Sequence, residues 1–192
     1  MTHPVIAETT ATLARLRKAR LRGRAEESQH LSPNVYFCWD KAQGAADITL
    51  TPAPGALLTA EIAVSGAPGW FTLNIGLGAG AFAPGGAFGL ALAASSSQPI
   101  TLHPFLRSAF GETRHDTHLT ESLRLGPDLA PRLALHRIRP QDAMAQSNGF
   151  HTLILPLPCA RFRLHLQDMR AFHVPPQPGA PLPPSTLSAL AR

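Results

Sequence analysis

Between Val35 and Val174 short segments of alternating apolar and polar side chains are broken repeatedly by Gly and Pro. That spacing predicts an all-β sandwich or barrel. In residues 58–64, Leu58, Ala60, Ile62 and Val64 fall on one face of an extended chain. In residues 70–77 the inward set is Phe71, Leu73, Ile75 and Leu77, and Trp70, Thr72 and Asn74 face the other way, which makes Trp70 a candidate surface aromatic. Further strands are expected at 35–39, 47–50, 88–93, 100–106, 122–125, 133–138, 152–157 and 162–174. The last sets Phe162, Leu164 and Leu166 against Arg161, Arg163, His165 and Gln167. Helical periodicity is lacking throughout this stretch, so crossover helices and a parallel sheet have no support. Long turns at 79–86 and 111–121 break the rhythm unevenly, which favours two facing antiparallel sheets in a jelly-roll-like sandwich over an up-and-down barrel.

Two flanking segments break the pattern. Residues 5–29 are rich in Ala, Leu, Arg, Lys and Glu and read as helix. Ile6, Leu13 and Leu16 form a thin apolar stripe, and Arg20 and Arg24 interrupt its continuation. A basic helical arm over 1–32 is therefore expected to fray or to dock on a partner protein through Arg15, Arg17, Lys18, Arg20, Arg22 and Arg24. Its removal is expected to leave a sandwich over 33–174 folded. Residues 175–192 are Pro-rich and predict a tail outside the sheets. The formal charge of the 192-residue chain is +5, and more than half of it lies in the first thirty residues. The near-neutral body, without interleaved aromatics and basic residues, argues against nucleic acid. Near the N-terminus Glu8 arrives early and no apolar stretch reaches signal-peptide length, so the expectation is cytoplasmic synthesis without Sec export and without a membrane span.

Catalytic signatures are missing. The glycines of 76–81 follow a strand but lead into Pro84, Gly85 and Gly86 and another strand, not into the helix N-terminus that a phosphate cradle needs. Ser95, Ser96 and Ser97 read as a polar turn. Cys38 and Cys159 lack zinc spacing and read as two small buried hydrophobes, with pairing across a sheet as the other option. The segment 111–121 carries two histidines among several carboxylates. His115, Asp116 and His118 are candidate ligands for a transition metal, carboxylates and carbonyls there are candidates for calcium, and a loop stitched by its own hydrogen bonds is the simpler alternative.

The strand-rich stretch from Trp70 to Phe172, closing on 162–172, resembles the jelly-roll sandwiches of carbohydrate-binding modules and galactose-binding-like domains. The resemblance covers about half the chain and rests on strand rhythm. It implies a non-catalytic module that binds a glycan or a polysaccharide-associated partner, with calcium as the only cofactor to consider. Trp70, Asn74, Arg114 and His118 are the candidate ligand-binding residues. A glycan binder without an export signal fits a spike or fibre subunit of a phage-like particle, within an oligomer or larger assembly. Two alternatives stay open: a structural interaction subunit without sugar affinity, and a metal- or carboxylate-dependent enzyme on the same scaffold.

Overall fold

A computed structural model describes residues 3–146 and 149–176. Helix α1 (Pro4–Lys18) is followed by β1 (Gly23–Ala25), β2 (His30–Ser32), β3 (Val35–Trp39), β4 (Gly44–Leu50), β5 (Leu58–Gly66), β6 (Phe71–Gly80) and β7 (Ala87–Ser96). Then come β8 (Ile100–Leu102), β9 (Phe105–Phe110), β10 (Thr113–His118), β11 (Leu123–Leu125) and β12 (Ala130–Arg137). A single 3-10 turn (Ala143–Ala145) precedes β13 (Gly149–Pro156) and β14 (Arg161–Val174). One antiparallel sheet has the order β1-β4-β5-β14-β7-β12 and the other β10-β9-β13-β6-β3-β2, with β8 and β11 forming a separate short pair. Jelly-roll-like sandwich architecture follows from these two sheets and the core between them. None of the described helices is long and apolar enough to cross a membrane.

Period-two patterning explains the core. Phe88, Leu90, Leu92, Phe162, Leu164 and Leu166 of the first sheet are buried with Phe37, Phe71, Leu73, Ile75, Leu153 and Leu155 of the second in one cluster. A bulge between Leu166 and Asp168 shifts the inward parity of β14, so Met169 and Ala171, not the even-numbered residues, continue the buried face.

The N-terminal segment departs from expectation. Residues 23–25 and 30–32, expected within a helical arm, pair with β4 and β3 at the two sheet margins. Helix α1 docks on its own sandwich, against β6 and β14, with Val5, Ile6, Thr9, Thr12, Leu13 and Leu16 buried. The stripe is wider than its aliphatic residues suggest because Thr9 donates its hydroxyl to Val5 O at 2.7 Å, with Leu77 O of β6 a second acceptor at 3.3 Å, and so is buried without an unpaired polar atom. Bare backbone on β6 receives it: a Cβ at Gly80 would stand 2.8 Å from Val5 Cγ2, and one at Gly78 would stand 2.1 Å from Glu8 Oε2. Of the expected partner-docking cations, Arg17 pairs with Asp168 and Arg24 with Asp47, and Arg15 bonds Thr12 Oγ1. Lys18, Arg20 and Arg22 remain at the surface. Most of the Pro-rich segment, 177–192, lies outside the described residues.

Candidate functional site

The outer face of the β10-β9-β13-β6-β3-β2 sheet carries the candidate site. Residues that alternate with the core-facing set point here: Tyr36 and Cys38 on β3, Thr72 and Asn74 on β6, Thr152, Ile154 and Pro156 on β13, and Phe105, Arg107 and Ala109 on β9. The register sets Tyr36, Asn74, Ile154, Phe105 and His118 side by side in one row across five strands. A groove of about 720 Å³ runs over this face. Trp70, 46% exposed, stands at one end beside Cys159, and Arg114 lines the β10 side. Phe150, 37% exposed, borders a neighbouring hollow that shares Tyr36 and Thr152 with the groove.

Its floor holds an orphan. Asn74 is only 4% exposed, and its Oδ1 has no hydrogen-bond partner among the described residues. A buried carbonyl oxygen left unpaired costs about 1–3 kcal/mol. Less than 1 Å² of Oδ1 is open, so a ligand hydroxyl in the groove would recover that cost only once the amide turns to present Oδ1 to it. Thr72 beside it is satisfied, donating to Cys38 O at 3.3 Å.

Aromatic and charged groups form the walls. Tyr36 stacks on His30 with ring centroids 5.3 Å apart, and burial pushes its phenol above the ordinary value. Arg107 lies over Phe105, 5.5 Å from guanidinium carbon to ring centroid, and grips both carboxylate oxygens of Asp116 at 2.8 Å. That bidentate bond holds the Asp116 carboxyl below the usual carboxylate range and raises Arg107 further. Cys38 donates its thiol to Glu27 Oε1 at 3.1 Å, and burial is the main reason its pKa is raised.

Of the residues named from sequence, Trp70, Asn74 and Arg114 converge on this groove. His118 is separated from its centre by Phe105, with ring centroids 5.1 Å apart. The expected metal set is corrected. Segment 111–121 is largely the β9–β10 hairpin, and alternation puts His115, paired with Ser108, on the opposite side of β10 from Asp116 and His118. Asp116 is already taken by Arg107, and among the described residues no group of three His, Cys, Asp or Glu side chains is placed to hold a metal ion. The cysteines are also corrected: both are free thiols, Cys38 half-buried and Cys159 exposed, and both line the groove, outside the core. The glycine run 76–81 lies mostly in β6, with Glu8 against Gly78 where a phosphate would need donors. Tyr36 and Phe105 in the groove, and Phe150 at the hollow beside it, were missed as surface aromatics because composition assigned most rings to the core. Parity relative to Phe37, Leu106 and Leu153 was the signal that identifies them.

No family model matches the chain, and no curated protein matches it significantly. Among solved structures it is similar to a CBM4 module, at TM-score 0.49 and 13% identity over 69% of this chain and 95% of that one. A family 11 carbohydrate-binding module from Clostridium thermocellum, in complex with a β-1,3-1,4-mixed-linked tetrasaccharide, gives TM-score 0.47 and 6% identity over 80% and 94% of the two chains. An apo-form cyclase from Fischerella sp. gives TM-score 0.49 and 11% identity over 85% and 94%. Carbohydrate-binding modules thus stand among the similar solved structures, beside an enzyme.

Proposed function

We propose that the protein is a non-catalytic carbohydrate-binding sandwich whose groove on the β10-β9-β13-β6-β3-β2 sheet receives a glycan chain. The observation that carries this reading is the groove itself, walled by Trp70, Tyr36 and Phe105 with the Asn74 amide in its floor. Sugar rings present apolar C–H faces that stack on aromatic rings, and hydroxyls that donate to buried acceptors. An apolar ligand would leave Asn74 unpaired. The groove is also lined on several strands, as a site for an extended chain requires.

A spike or fibre subunit remains compatible with this reading. The α1 apolar face is spent on its own domain, however, so any docking would fall to Lys18, Arg20 and Arg22. The test is a glycan array of the intact protein, with and without calcium, beside Trp70→Ala and Tyr36→Ala. Selective binding that both substitutions weaken supports the reading. Silence on the array, or binding indifferent to both substitutions, overturns it.

A further inference from the structure

We infer that the groove selects polysaccharides bearing carboxylate sugars over neutral ones, an inference that rests on the glycan-binding reading above. Its basis is how the charges around the groove are already committed. Asp116 is held by Arg107 through both oxygens. Glu27, behind Cys38, is taken up by Lys41, Ser28 and Cys38. Asp40, at the Trp70 end, accepts the backbone N–H groups of Ala42 and Gly69 at 3.1 and 3.3 Å. These three carboxylates are thus engaged by donors of the protein itself.

The cations are not balanced in the same way. Arg114 lines the groove, is exposed, and has no hydrogen bond or ion pair among the described residues. Its charge and that of Arg107 are both felt at the Tyr36 hydroxyl, so the guanidinium of Arg114 acts on the same space as the aromatic wall and the Asn74 floor. A guanidinium fork matches a carboxylate in two parallel hydrogen bonds, and Arg107 already shows that pairing with Asp116 on the neighbouring strand. A run of hexuronate units supplies what the groove leaves open: C–H faces for Tyr36 and Trp70, hydroxyls for the Asn74 amide, and a carboxylate for Arg114.

The experiment titrates the intact protein with polygalacturonate, a neutral mixed-linked β-glucan and dextran sulfate, following Trp fluorescence and calorimetry at low and high salt, in the native chain and in Arg114→Gln. The expected result is tighter binding of polygalacturonate than of either other polymer, weakened by salt and reduced about tenfold by Arg114→Gln, with β-glucan binding changed less than about twofold by the same substitution. Equal affinity for polygalacturonate and β-glucan overturns the inference and leaves the glycan reading standing, as does equal loss of both in Arg114→Gln. Tighter binding of dextran sulfate than of polygalacturonate overturns it too, because charge density without carboxylate geometry would then suffice. Failure of all three polymers to bind overturns the glycan reading itself.

Discussion

Arg107 holds Asp116 by both carboxylate oxygens, each bond 2.8 Å, across the β9–β10 pair at the margin of the groove. The bond depresses the Asp116 pKa in the folded chain. Stabilisation from it is therefore complete above the ordinary aspartate value of about 3.9 and is lost as pH falls through the lower folded value. Both side chains are partly exposed, so the contribution is below about 1 kcal/mol. An NMR titration should place the Asp116 midpoint below the ordinary value in the native chain and raise it in Arg107→Gln. An unchanged midpoint would show that the pair does not persist in solution.

Phe172 covers Gly89 on the outer face of the other sheet, where the two residues pair across β14 and β7. A Cβ at Gly89 would stand 2.1 Å from the ring Cζ. Gly89→Ala should displace the ring and cost about 1–3 kcal/mol, measured by urea denaturation. In a Phe172→Ala background most of that cost should disappear. A cost that persists there would place its origin in the β7 backbone.

Leu16 is buried where α1 meets the sandwich. Leu16→Ala should cost about 2–5 kcal/mol in global stability, and truncation of residues 1–32 should prevent native folding, because it removes α1 together with β1 and β2. A truncated chain with native dispersion and an unchanged denaturation midpoint would restore the picture of a free arm.

Histidines gather where the helix begins. His3, the residue that caps α1, stacks on Phe82 at 4.5 Å and meets His173 at 4.8 Å, with His151 on the far side of Phe82. Glu8, the nearest acid of α1, faces Gly78. Burial lowers the pKa of His151 and of His173, and proximity to His3 lowers both further. Their folded values are depressed, so stability is complete above the unfolded value of about 6.5 and falls as pH drops through the folded values. The urea midpoint should decrease between about pH 7.5 and about pH 5, less steeply in His173→Gln. A midpoint independent of pH over that range would contradict the geometry.

Elements with period-two alternation were legible because burial of one face fixes the parity of every residue in a strand. Leu58 to Val64 and Phe71 to Leu77 lie in strands close to where their pattern puts them. β10 was not legible, since Arg114, Asp116 and His118 alternate with Thr113, His115 and Thr117, polar against polar. That strand is held by its hairpin partner β9 and by the Arg107–Asp116 pair instead of by burial. The docking of α1 was hidden for a related reason: Thr9 and Thr12 count as polar in a sequence, yet the Thr9 hydroxyl is satisfied by Val5 O of the helix and Leu77 O of β6, and both are buried. In the site, parity found Trp70 and Asn74, but the unpaired state of Asn74 Oδ1 depends on neighbours from β3 and β13 that are far away in the chain.

The most direct test of a glycan groove is amide shift mapping by NMR while soluble neutral and uronate oligosaccharides are titrated into the intact protein. The account predicts saturable shifts clustered at Tyr36, Asn74, Phe105 and Ile154, with the outer face of the opposite sheet at Gly89, Ala91 and Ala93 unmoved. Shifts confined to that opposite face, or none up to about 10 mM ligand, would contradict it.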